Sequence, residues 1–130
     1  MLKAIDHIVI TARDVEATAR FYSNVLTAPV VRFGDGRIAL QIGVQKINLH
    51  GAGREIEPKA ESPTPGAIDL CFLTDMSAAE IEAHLDRCGV EIVLGPVFRS
   101  GAMNRLQSIY IRDPDGNLVE IAREVGKGRD

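Results

Sequence analysis

Apolar residues recur along this chain at two spacings, every second residue in some stretches and every third or fourth in others. The switches between the two divide the chain into elements. In Ala4–Ala12, A-I-D-H-I-V-I-T-A, the residues Asp6, Ile8 and Ile10 share one side, and His7, Val9 and Thr11 the other, which predicts a strand. Asp14 then offers an N-cap, and Val15, Ala19, Tyr22 and Leu26 form a helical stripe that Pro29 stops. Strand spacing returns in Val30–Phe33, Arg37–Ile42 and Gln45–His50, separated by Gly34-Asp35-Gly36 and by Gly43. In the last of these Ile47 and Leu49 face one way, while Lys46, Asn48 and His50 face the other.

Gly51–Gly66 has a different texture, with Pro58, Pro63 and Pro65, mixed charges and no period. It reads as a connector between modules. After it the first pattern starts again. Ala67–Thr74 alternates, with Ile68, Leu70 and Phe72 on one face and Asp69, Cys71 and Leu73 on the other. Ser77 with Glu80 forms a capping box, Ile81, Leu85 and Cys88 form the helical stripe, and Gly89 is the stop. Three strands are expected at Val90–Leu94, Leu106–Arg112 and Asn117–Arg123. The last two are joined by Asp113-Pro114-Asp115-Gly116, where proline presets φ, the aspartates bond the backbone locally and glycine accepts a positive φ. The predicted architecture is α+β: a single domain over 1–130 of two βαβββ modules, 4–50 and 67–123, a connector at 51–66 and a tail at 124–130.

Composition narrows the function classes. At 130 residues, with 25% charged residues and a formal net charge of -3, the chain carries no basic excess that would draw nucleic acid or an anionic membrane. No apolar run approaches the about 18 residues of a membrane span, and M-L-K-A-I-D lacks the pattern of a signal peptide, so a cytoplasmic location is expected. Cys71 and Cys88 fall at apolar-periodic positions, which predicts buried thiols without chemistry.

The polar faces carry the candidate chemistry: His7 with Asn48 and His50 in the first module, Asp69 with Glu120 in the second, each from a module's first and last strands. Taken alone, a strand histidine is commonly an ordinary core or edge residue, and a carboxylate on an open sheet face is commonly just solvated. Arg99 and Arg105 bracket a stretch that reads as either a solvated loop or a lid, and Arg54, Glu55 and Lys59 in the connector carry the same ambiguity.

The I-D-H-I-V-I strand, the D-V-E-A-T-A-R-F-Y helix and the Y-I-R-D-P-D-G-N-L-V-E-I hairpin resemble the vicinal oxygen chelate superfamily, which includes glyoxalase I, bleomycin-resistance proteins and extradiol dioxygenases. With K-I-N-L-H and G-R-E-I-E-P-K-A, the sequence is most similar to the short group called glyoxalase domain-containing protein 5. The resemblance implies sheets curled into a cup with helices outside, and a divalent metal (Mn, Fe, Ni, Mg or Zn) held by His7, Asp69 and Glu120. It implies a small metal-chelating metabolite as substrate, a glyoxalase-like lyase, isomerase or transferase step, and a homodimer.

One imidazole and two carboxylates suit an octahedral ion with open positions better than a closed zinc site. Glu120, Tyr110 and His50 are the catalytic candidates, His50 being also a possible fourth ligand; Asn48, Ser108 and Tyr110 are the substrate-binding candidates. The alternative is a metal-free protein that sequesters a ligand, of the bleomycin-resistance type.

Overall fold

The computed structural model describes residues 1–128. The elements follow in the order β1 (His7–Ala12), α1 (Val15–Leu26), β2 (Val30–Phe33), β3 (Arg37–Ile42), β4 (Gln45–Gly51), β5 (Asp69–Leu73), α2 (Ala78–Arg87), β6 (Leu94–Ser100), β7 (Asn104–Arg112) and β8 (Leu118–Lys127). This is an α+β fold with two four-stranded mixed sheets, ordered β1-β4-β3-β2 and β5-β8-β7-β6. The βαβββ pattern expected twice from the sequence is present twice. In each sheet the module's first strand is an edge strand running parallel to its last strand, and the remaining pairs are antiparallel.

The chain divides into two compact units. The first is Met1–Ile68 together with the turn Asp113–Gly116, and the second comprises Asp69–Arg112 and the chain from Asn117. In the first unit Asp14 caps α1, its side chain accepting from the Ala17 amide at 3.0 Å, and Thr27 ends the helix in the left-handed conformation. The buried stripe Ala19, Tyr22 and Val25 packs on β3 and β4, where Ile38, Leu40, Ile47 and Leu49 are buried. Each such aliphatic side chain contributes roughly 1.5–3 kcal/mol by leaving water.

The turn segment explains its own aspartates. Asp113 accepts locally from the Asp115 amide, as expected, but its other oxygen accepts from the Tyr22 hydroxyl at 2.8 Å in a buried contact. Asp115 accepts from both the backbone amide and the guanidinium of Arg13, each at 3.2 Å.

In the second unit Ser77 caps α2 by accepting from the Glu80 amide, and its hydroxyl donates to the Glu80 carboxylate, so the capping box forms. Ile81 and Leu85 are the buried face of α2, and Ile109, Ile111, Val119 and Ile121 are buried on β7 and β8.

Four expectations are corrected here. The strand expected at Val90–Leu94 lies at Leu94–Ser100, because the Gly95-Pro96 break is accommodated inside it at a bulge between Leu94 and Val97. Gly95 has φ +121°, and a Cβ there would sit 2.6 Å from the Ser108 carbonyl oxygen, so only glycine fits. The tail from residue 124 is strand as far as Lys127, paired with Asn104 and Arg105; Arg129 and Asp130 lie outside the described residues. The loop expected between Arg99 and Arg105 is a tight hairpin, with Arg99 facing Leu106 and Ser100 facing Arg105 in register. Finally, Cys71 and Cys88 are exposed free cysteines, not buried ones, since the β5 face that carries Cys71 stays open and α2 turns Cys88 outward at its end.

Candidate functional site

In the second unit, strand pairing assembles one cluster around Glu120. Glu120 on β8 pairs with Cys71 on β5 and with Tyr110 on β7, and paired residues share a sheet face. Ser108, two residues along β7 and fully buried, donates its hydroxyl to Glu120 Oε2 at 2.6 Å, the short length of a charge-assisted bond. Arg99 on β6 donates from Nε to the Tyr110 hydroxyl at 3.1 Å. Burial pushes the Tyr110 phenol up; the Arg99 hydrogen bond works against this, and Glu120 adds to it. Desolvation pushes the Cys71 thiol up to about 12, helped by Glu120 and then Asp69. Cys71 is therefore a poor nucleophile in this position.

In the first unit, register places Asn48 beside Val9 and Ala39, and His50 beside Thr11. Both polar side chains are buried, and among the described residues neither Asn48 Oδ1 nor His50 Nε2 has a hydrogen-bond partner. Burial lowers the His50 pKa, Arg37 lowers it further, and Glu55 opposes, so the ring is neutral at pH 7. His7, at the start of β1, is half-exposed, and its Nδ1 lies 2.8 Å from Asp6 Oδ1. A carboxylate can only accept, so Nδ1 carries the hydrogen of this contact, and the neutral tautomer that fits it has its lone pair on Nε2.

Ser108, Tyr110 and Glu120, which parity placed on one face, lie together in the second unit, and Asp69 shares its strand with Cys71. Sequence reasoning missed Cys71 and Arg99 as neighbours of the cluster. The signal for Cys71 was its parity with Asp69; Arg99 was hidden because its segment did not read as a strand.

Comparison with known proteins gives the family. The profile described as Glyoxalase/Bleomycin resistance protein/Dioxygenase superfamily matches residues 4–121. The chain belongs to that superfamily. Among relatives, Virulence protein STM3117 of Salmonella typhimurium is 49% identical over 125 residues, covering 96% of this chain and 87% of that protein. Glyoxalase domain-containing protein RDO1 of Mycosarcoma maydis is 50% identical over 121 residues, covering 93% of this chain and 68% of that protein. The crystal structure of the Salmonella protein superposes with a TM-score of 0.93, covering 96% of this chain and 99% of that one. A lactoylglutathione lyase from Agrobacterium tumefaciens shares the glyoxalase fold at a TM-score of 0.72, 24% identity and 95% coverage of each chain.

Members of the glyoxalase superfamily often use divalent metals, and the donor chemistry fits one. An imidazole whose second nitrogen is held by a carboxylate, as His7 is by Asp6, is the usual support of a metal-binding histidine. Glu120, held by Ser108, and Asp69 supply hard oxygen donors. Among the described residues, no three His, Cys, Asp or Glu side chains are gathered into a single metal-holding group.

Proposed function

We propose that this glyoxalase-superfamily protein is a small divalent-metal enzyme of the vicinal oxygen chelate type. It acts on a small metabolite with two neighbouring oxygens by a lyase, isomerase or transferase step, with His7, Asp69 and Glu120 as ligands. The observation that carries this reading is the setting of Glu120. It is a half-buried carboxylate in mid-strand with a serine hydroxyl on one oxygen and, among the described residues, no Lys, Arg or His within ion-pair distance. A half-buried carboxylate paired with Cys71, whose strand carries Asp69 two residues before on the same face, with no cation beside it among the described residues, favours a bound positive charge. The Asp6–His7 pair supports the same reading by presenting a lone pair.

When bound, the ion would polarise adjacent substrate oxygens and stabilise negative charge developing on them. The side chains of this chain bind and orient. Ser108 fixes the Glu120 rotamer. Tyr110, braced by Arg99, stays protonated and donates to a substrate oxygen. His50, kept neutral, can accept a proton as a general base, and Asn48 offers an amide group to the substrate. The kinship with proteins named for glyoxalase domains supports this class, and the narrower similarity to the glyoxalase domain-containing protein 5 group belongs to the same proposal.

Ile5, Ile8 and Val9 leave large apolar side chains exposed at and just before the edge strand β1, which supports a homodimer. Among the described residues no helix is long and apolar enough to cross a membrane.

Elemental analysis of protein purified without chelator tests the proposal. Wild type should carry stoichiometric divalent metal, and Glu120→Ala should lose it while keeping its circular dichroism spectrum. Full metal content in that variant sinks the assignment. The second reading is a metal-free ligand-binding protein of the bleomycin-resistance type. It predicts metal-free wild type whose melting temperature rises with a ligand in the presence of chelator.

A further inference from the structure

The first unit contains a cavity of about 790 Å³ to which the proposed metal reading assigns only His50, its general-base candidate. It lies where α1 begins, where the β2–β3 turn closes and where β4 runs into the connector. Its wall includes three arginines, Arg13, Arg37 and Arg54, and three acids, Asp14, Glu16 and Asp35.

The acids are mostly committed. Asp14 caps α1, and Glu16 makes two 3.0 Å bonds to Arg32. Among the arginines, Arg13 is committed to Asp115. Arg37 lies over the Phe33 ring, 4.7 Å from its centroid, which leaves its edge N–H groups available. Arg54 has no ion pair among the described residues. Two uncommitted guanidinium groups therefore face one uncommitted carboxylate, Asp35.

The Arg54 side chain lies against the end of β4, its Nε 3.8 Å from the Cβ position of Gly51. His50 also lines the cavity, nine-tenths buried, with Nε2 unpartnered among the described residues. Beside Arg37, an N–H from that ring suits an anion, and a cation is disfavoured.

We propose that this cavity binds the anionic group of a small molecule, a phosphate or a carboxylate, through Arg54 and Arg37 with His50 as a further N–H donor. Guanidinium groups match either anion with paired hydrogen bonds, so the two sources share one recognition chemistry. The site shares His50 with the proposed catalytic machinery, but its guanidinium contacts from Arg37 and Arg54 are separate from the proposed ligands His7, Asp69 and Glu120.

The test is a ¹H–¹⁵N NMR titration of the full chain, stripped of metal on a chelating resin. One arm uses inorganic phosphate and the other succinate, each at constant ionic strength set with sodium chloride. Saturable shifts at Arg37 and Gly51–Arg54 are expected with at least one anion, and the arm that saturates names the source. Arg54→Gln should weaken that binding about tenfold, the loss of one charge-assisted contact. Arg54→Lys should retain part of it, and Asp35→Asn should tighten it. Arg87→Gln on α2 removes a charge elsewhere and should leave it unchanged. No saturation with either anion, or equal affinity in wild type and Arg54→Gln, overturns the proposal.

Discussion

Tyr22→Phe removes one oxygen from the most deeply committed polar contact of the first unit. The Tyr22 ring is fully buried, Asp113 is 5% exposed, and the hydroxyl donates to Asp113 Oδ2 at 2.8 Å. A hydrogen bond to a charged acceptor contributes about 1.5–3 kcal/mol, and the buried carboxylate oxygen left behind cannot reach water easily. We expect a loss of about 2 kcal/mol. Because phenylalanine keeps the ring, the edge-on contact with Phe21 at 5.4 Å survives and does not blur the number. In urea, with a slope of roughly 1–3 kcal/mol/M, the midpoint should fall by about 1 M at unchanged slope. A double-mutant cycle with Asp113→Ala should return a coupling of about 1–2 kcal/mol.

The pH dependence gives a second, independent reading of the same bond. Burial and Asp113 raise the Tyr22 pKa above its ordinary value, so the folded state holds this proton where the unfolded chain would release it. The stabilisation is complete below the ordinary tyrosine pKa of about 10 and fades as pH rises beyond it, by at most about 1.4 kcal/mol per pH unit. Tyr110 and Cys71 contribute to both proteins and cancel. The stability gap between wild type and Tyr22→Phe should therefore narrow above about pH 10. A variant within about 0.5 kcal/mol of wild type at pH 7, or a gap that widens in alkali, would refute the reasoning.

Other substitutions probe other links. Cys71, although exposed, should react with a thiol reagent at pH 8 roughly three orders of magnitude more slowly than a free cysteine, because so little thiolate is present; comparable rates would contradict its raised pKa. Ser77→Ala should cost about 1 kcal/mol in urea denaturation by undoing the α2 cap, and a neutral result would mean that the capping box is ornamental. Gly95→Ala should destabilise by several kcal/mol or prevent folding, since its methyl would meet the β7 backbone at a φ that L residues avoid; wild-type thermal stability would disprove that close approach.

The sequence made the fold legible wherever local chemistry and periodicity agreed. Asp14 and Ser77 announce their helices by side-chain chemistry alone, and Val30–Phe33 and Arg37–Ile42 were bounded to the residue because glycines punctuate them. It was misleading where a strand breaks its own alternation, as Gly95-Pro96 does inside β6, or becomes polar, as β8 does at Glu124–Lys127. The Glu120 cluster was legible in part because parity puts Ser108 and Tyr110 on its face. Arg99 was not, since its role depends on a cross-strand register that no local pattern encodes. The cavity of the first unit was still less accessible: Arg37, His50 and Arg54 come from different structural contexts and meet only after folding.

The D-P-D-G turn sets a limit on how this gene could be cut. A fragment ending at the connector would look like a whole βαβββ module, yet it would lack the four residues that satisfy the Tyr22 hydroxyl, anchor Arg13 and press within 2.5 Å of a Cβ built on Gly66. The first half should consequently be insoluble or molten when expressed alone, and adding the distant peptide containing Asp113 in trans should be needed to rescue it. The apparent duplication is thus not a pair of interchangeable beads: one bead has lent the other a piece of itself.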